Sequence, residues 1–315
     1  MGERKIGGAS GAAMLLALAA TALMCGPSAA QEARQGLVSL DDAKIFYEVI
    51  GSGEPILVVH GGPGLDHAYL RPGLDALATR NTVIYYDQRG TGRSTADLEP
   101  GSINLDSFVA DIDALRQILG FDRVTLLGHS FGALIAIEYA LRHPDGTRAL
   151  ILMTPVEPGS RYQEATAERQ RARRTAEDAQ EMSDLRESEA FAARDPATLS
   201  RVYRVSFRQL LRDRQRIEEL DLDLATETAR NGQDVARLLG TSMASMEWWD
   251  RIGAIGAPTL VLSGRYDAAP LEMGQALAEA FPVGTFEALD TGHFPYMEDR
   301  QALVSAIAGF FATFR

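Results

Sequence analysis

The sequence predicts an α/β protein built on a mostly parallel, doubly wound sheet, and three observations carry that prediction. Short stretches that are apolar on both faces recur at 56–59, 83–86, 124–127, 150–153 and 259–262, as strands buried on both sides require. Segments with helical periodicity lie between most of them, and such alternation packs as a parallel sheet with covering helices. The 315 residues, 46% apolar and 23% charged, suffice to bury a full core in one or two domains.

Taken in order, Arg4 and Lys5 lead into the apolar run Ala12 to Met24, followed by Pro27-Ser28-Ala29-Ala30. A basic start, a short apolar stretch and then small residues form an export signal. Residues 1–30 are therefore expected to be removed after Ala30, leaving an exported protein in the periplasm or the medium. The run is shorter than the ~20 residues needed to span a bilayer, so no stable membrane insertion is expected. A competing reading makes Cys25 a lipidated N-terminus, although Met24 is a poor small residue in front of it. Because Cys25 is the only cysteine, cleavage after Ala30 removes disulfides, thiolate catalysis and Cys-ligated metals together.

Two strands are expected at 36–40 and 43–50, broken at Gly51-Ser52-Gly53. Helices are expected at 105–119, capped by Asn104 or Asp106, and at 131–142, ended before Pro144. From 157 to 250 the alternation stops. This stretch holds 15 Arg against 19 Asp and Glu, so it reads as a helical lid inserted between a first core portion, 31–156, and a second, 251–315. The Arg-rich stretch 169–174 is flanked by Glu164, Glu168, Glu177 and Asp178 and reads as an exposed helix face.

A net charge of −12 argues against nucleic acid or an anionic membrane surface as the main partner. The only lysines, Lys5 and Lys44, are not followed by Ser or Thr, which rules out a phosphate-binding loop of the Walker type. Gly90-Thr91-Gly92-Arg93-Ser94 lacks the last glycine of a dinucleotide fingerprint, and no H-E-x-x-H is present. No cofactor and no metal are expected.

The strand at 124–127 runs into Gly128-His129-Ser130-Phe131-Gly132 and then a helical segment. This is G-x-S-x-G in the strand-turn-helix context the motif needs, with small residues flanking a serine held out at the carboxyl edge of the sheet. A serine hydroxyl is a weak nucleophile until a base takes its proton and an acid orients that base. Of five histidines, only His293 lies beyond the last core strand. His67 and His143 read as helix-end or surface residues. Asp267 follows the strand at 259–262 and is favoured as the acid over Asp290, which reads as a turn residue. The strand at 56–59 ends in His60-Gly61-Gly62-Pro63-Gly64, so the N–H of Gly62 and the N–H of Phe131 are the expected oxyanion donors. Asp87 to Ser94 reads as a structural brace beside the site.

Together these motifs, with Tyr86-Asp87-Gln88-Arg89-Gly90-Thr91-Gly92-Arg93-Ser94, Gly264-Arg265-Tyr266-Asp267 and Gly292-His293, resemble the α/β-hydrolase superfamily and, within it, the proline iminopeptidases, most closely the tricorn-associated ones. The resemblance spans most of 45–315 apart from the lid. It implies an α/β-hydrolase fold with an inserted helical lid, and a serine hydrolase releasing an N-terminal residue from small peptides. Members of that family hold the free ammonium with two glutamates. The corresponding positions here are Ala268 and, in Asn231-Gly232-Gln233-Asp234-Val235, Val235. Asp234 or Glu247 could substitute for them, and Trp248, with Met243, Met246 and Trp249, could instead form an apolar acyl pocket. The alternative reading is thus a carboxylesterase or lactonase acting on small acyl esters, and a third is a non-catalytic ligand receptor. The partner implied is a small-molecule or short-peptide substrate, with the oligomeric state left open.

Overall fold

The computed structural model describes residues 34–314, and the export segment expected at 1–30 lies outside them. Within these residues the chain forms one compact unit. It opens with an antiparallel pair, β1 (Arg34–Ser39) and β2 (Ala43–Gly51). β3 (Glu54–Val59) follows, then the short helix α1 (Arg71–Leu74), β4 (Asn81–Tyr86) and the two-residue β5 (Thr95–Ala96). Next come α2 (Leu105–Ile118), β6 (Val124–His129), α3 (Gly132–Arg142) and β7 (Thr147–Met153). With β8 at Thr259–Gly264 and β9 at Gly284–Leu289, the sheet order is β1-β2-β4-β3-β6-β7-β8-β9, and β5 pairs to β2. Every neighbouring pair from β4 to β9 is parallel.

The doubly apolar strands behave as their composition requires. Leu57 and Val59 face a first core with Leu126, Leu150 and Val261, while Ile56 and Val58 face a second with Leu127, Ile151 and Leu260. Side chains alternate across a strand, so both halves of each apolar run find a buried layer. Each such side chain contributes about 2 kcal/mol by leaving water. Helices α2 and α3 cover the first face together with α9 (Leu271–Ala280), and α11 (Arg300–Ala312) covers the second. Asn104, not Asp106, caps α2 through the Ser107 N–H at 3.0 Å, whereas Asp106 pairs with Arg142.

Between β7 and β8 (Thr259–Gly264) lie five helices: α4 (Gln163–Arg173), α5 (Ala176–Glu187), α6 (Glu189–Ala192), α7 (Pro196–Arg208) and α8 (Thr226–Met243). The chain then closes with β9 (Gly284–Leu289) and α10 (Pro295–Glu298) ahead of α11. Only part of the insertion covers the site. Val235, Leu238, Leu239 and Met243 of α8 join the first core, as do Trp248 and Trp249. The α8 backbone meets the loop after β3 so closely that a Cβ on Gly64 would stand 2.1 Å from Gly232 O. Thr228 fixes the contact by donating to Asp66 at 2.6 Å and accepting from Gly92 N–H at 2.9 Å.

The charges expected to be merely solvated are partly structural. Asp178, at the start of α5, is buried and pairs with Arg208 at 3.0 Å and Arg214 at 2.7 Å. Burial alone would raise its pKa, but hydrogen bonds from Arg214 and Thr175 outweigh that and lower it from 3.8 to about 2. A carboxylate depressed in the folded state stabilises it above the unfolded value and loses that contribution as pH falls through the folded one. Asp178→Asn is therefore expected to lower stability at pH 7 by about 2 kcal/mol. The gap to wild type should close between pH 4 and pH 2, as read by denaturant unfolding at each pH.

Candidate active site

Ser130 sits between β6 and α3 with φ at +54°, a left-handed conformation costly for a residue bearing a Cβ. The glycines on either side make the turn feasible. A Cβ on Gly128 would lie 2.7 Å from Ala133 Cα, and one on Gly132 would lie 2.2 Å from Val59 O. The strand, the turn and the helix can therefore close only without those side chains, and the closure presents Ser130 to a cavity of ≈ 560 Å³.

Asp267 and His293 line the same cavity, although they come from loops after different strands. His293 Nδ1 lies 2.8 Å from Asp267 Oδ2, and Asp267 Oδ1 accepts the Ala268 N–H at 2.6 Å. With Nδ1–H donated to the carboxylate, Nε2 is the basic nitrogen of the ring. Ser130 Oγ makes no hydrogen bond among the described residues, and contacts of this kind commonly close only with substrate in place. The rival acid Asp290 is exposed and pairs with Arg212 at 2.6 Å, away from the imidazole.

Gly62, at φ +113°, and Phe131, at the N-terminus of α3, also line the cavity. Among the described residues neither N–H is spent on another hydrogen bond. Two uncommitted donors in the wall that Ser130 shares, that of Phe131 at the positive end of a helix, can receive a developing oxyanion.

A hydrogen-bonded chain not evident in the sequence joins these parts. The Gly61 N–H donates to Tyr69 Oη at 2.8 Å, Tyr69 O–H donates to His129 Nδ1 at 2.8 Å, and His129 Nε2–H donates to the His293 carbonyl at 3.0 Å. Burial, then the nearby His293 ring, push the His129 pKa well below its usual value, so it stays neutral. Thr154 donates to the same carbonyl at 2.9 Å, and Glu298 accepts the N–H groups of Gly292 and Phe294 on either side of His293. Tyr69→Phe leaves the Gly61 N–H and His129 Nδ1 unpaired. It is expected to lower kcat about tenfold with little change in KM, and stability by about 2 kcal/mol. Steady-state kinetics beside thermal unfolding separate the two effects.

The residues proposed for substrate contact need correcting. Asp234 pairs with Arg194 at 2.7 Å and Arg237 at 3.5 Å and does not line the cavity. Trp248 is buried against α3 and donates from Nε1 to Glu138 at 2.8 Å, and Met243 belongs to the first core. Glu247 is exposed and stands behind Gly159 rather than in the cavity wall. Val235 is fully buried. His67 is not a surface residue: it is buried and bonds to Asp87 at 2.6 Å, which raises its pKa against the opposing effect of burial. Within 169–174, Arg169 reaches the Asp267 carbonyl at 3.0 Å and Arg173 that of Tyr266, so part of that face pins α4 to the Asp267 loop. The brace around Asp87 is a dense network. Arg89 grips Asp111 through two bonds at 2.7 and 2.8 Å, and Gln88 bonds to His60 through both its backbone and its side chain.

The chain belongs to the α/β-hydrolase family, whose sequence model, for the alpha/beta hydrolase fold, matches residues 54–300. With a serine at the elbow of that fold, it is a serine hydrolase. A proline iminopeptidase of Heyndrickxia coagulans is 26% identical over 285 residues, covering 88% of this chain and 98% of that protein. One from Saccharolobus solfataricus is 29% identical over 242 residues, covering 74% and 76%. The fold is shared with a thermophilic esterase from Thermogutta terrifontis (TM-score 0.67, 24% identity, covering 89% and 98%). It is also shared with a proline iminopeptidase of Mycobacterium smegmatis (TM-score 0.65, 22% identity, covering 89% and 98%). Among the described residues no helix is long and apolar enough to cross a membrane, and no group of three or more His, Cys, Asp or Glu is placed to hold a metal ion.

Proposed function

We propose that the protein cleaves small acyl compounds through an acyl-enzyme at Ser130, and that short peptides losing their N-terminal residue are its main substrates. The Asp267–His293 hydrogen bond, in the wall of the cavity that Ser130 also lines, carries this reading. His293 Nε2 takes the proton of Ser130 as Oγ attacks the substrate carbonyl. Asp267 holds the ring in the required tautomer, and the N–H groups of Gly62 and Phe131 receive the negative oxygen. His293 then protonates the leaving amine or alcohol. Water, deprotonated by the same nitrogen, attacks the acyl carbon, and the acid leaves with Ser130 restored.

The peptide preference is supported by the relatives named proline iminopeptidases. A second reading, an esterase or lactonase, is favoured by buried Ala268 and Val235 at the positions where the resembled family carries glutamates. A panel of prolyl and alanyl chromogenic amides beside short acyl esters separates the two. Turnover of the amides supports peptide cleavage, whereas turnover of amine-free esters alone replaces it with the second reading. Export follows from the layout of residues 1–30 and is part of the proposal. An intact mass beginning at Gln31 supports it, and a diacylated mass at Cys25 overturns the cleaved form.

A further inference from the structure

Glu157 lies between β7 and α4, in the wall of the cavity that holds Ser130 and His293. Its Oε1 accepts the Tyr162 N–H at 2.7 Å, while its Oε2 is closed off from solvent and has no hydrogen-bond partner. The only other carboxylate in that wall among the described residues, Asp267, is committed through both oxygens to His293 and Ala268. Among the described residues no Lys or Arg lines the cavity.

Two residues on, Gly159 lines the same wall, and the Glu247 carboxylate rests against its Cα. A methyl group there would stand 2.2 Å from Glu247 Oε1. Among the described residues neither Glu157 nor Glu247 is in an ion pair, whereas Asp178, Glu181 and Asp234 of the same segment each hold arginines. An unpaired anionic oxygen kept from water is a costly arrangement that a cation relieves. The rest of the wall, including Leu65, Phe131, Phe207 and Leu210, is apolar and suits a hydrocarbon body behind that cation.

We infer that Glu157 is the specificity residue that binds the protonated amine of an α-aminoacyl substrate, with Glu247 behind Gly159 adding to the negative field. The inference rests on the reading of Ser130 as the residue that is acylated. It makes the substrate class an acyl group carrying a primary or secondary ammonium, held at a different place in the cavity wall from Ala268 and away from Val235.

Glu157→Gln keeps an oxygen for the Tyr162 N–H and removes only the charge. The measurement is kcat/KM for p-nitrophenyl esters in matched pairs, prolyl against cyclopentanecarbonyl and alanyl against propionyl. In wild type the aminoacyl ester should be preferred, and in Glu157→Gln that preference should fall about thirtyfold, mostly through KM, as loss of one charge-assisted contact implies. An unchanged preference overturns the role of Glu157. A wild type with no preference overturns the amine site while leaving the acyl-enzyme intact. A wild type inactive on all four esters, and unlabelled by a fluorophosphonate, overturns the acyl-enzyme reading itself. An arm without variants compares inhibition of wild type by pyrrolidinium and by cyclopentanol. Stronger inhibition by the cation is expected, and equal inhibition counts against the site.

Discussion

Ser130→Ala is expected to lower kcat about a millionfold, the scale on which loss of a serine nucleophile acts when base and oxyanion donors remain. The expectation follows from where the hydroxyl is held. The turn at φ +54° is tolerated because Gly128 and Gly132 leave no side chain between strand and helix. The strained turn sets Ser130 in the wall of the cavity that Gly62 and Phe131 also line, and among the described residues their N–H groups have no other partner. Alanine fits the same turn, so the fold and substrate binding should persist while covalent chemistry stops. The measurement pairs single-turnover kinetics with labelling by a fluorophosphonate probe. Wild type should label and the variant should not. Persistent labelling would place the nucleophile elsewhere, and an unlabelled wild type would favour the ligand receptor over an enzyme.

Asp267→Asn should cost about 10⁴ in kcat with the structure nearly unchanged. Asp267 accepts at both oxygens, from the Ala268 N–H at 2.6 Å and from His293 Nδ1 at 2.8 Å. An asparagine can satisfy the first with its carbonyl only by turning its NH₂ toward the imidazole. Nδ1 must then accept, the ring proton moves to Nε2, and the nitrogen needed as a base is blocked. The slowdown should appear in kcat and in the labelling rate of Ser130 together, with KM moved little. Asp290→Asn is the control, because that carboxylate is exposed and spent on Arg212. A tenfold loss or less in Asp267→Asn, with a large loss in Asp290→Asn, would reverse the assignment of the acid.

The strands were legible because burial on both faces leaves an unbroken apolar run, a pattern independent of what packs above it. The elbow was legible because its glycines answer a local steric demand, visible within five residues. Asp267 could be chosen over Asp290 from its place after a buried strand. The surroundings of Asp234 and Trp248 were not legible in this way. Their segment showed helical character but nothing about the partner each face would meet, and α8 turned its apolar side into the first core. Tyr69, Glu298 and Glu157 carried no signal at all. Each matters through a neighbour far away in the chain, and a lone tyrosine or glutamate in a loop resembles many others.

From the order of residues alone come the α/β class, the sheet-forming runs, the strained serine and the histidine and aspartate that follow it, since each depends on local sterics or on periodic burial. Which carboxylates stay unpaired, which helix lies over the cavity and which lies in the core, and how Tyr69 and His129 tie one loop to another were settled by folding. Those outcomes depend on contacts between segments distant in the chain, whose energies have no expression until the sheet brings them together.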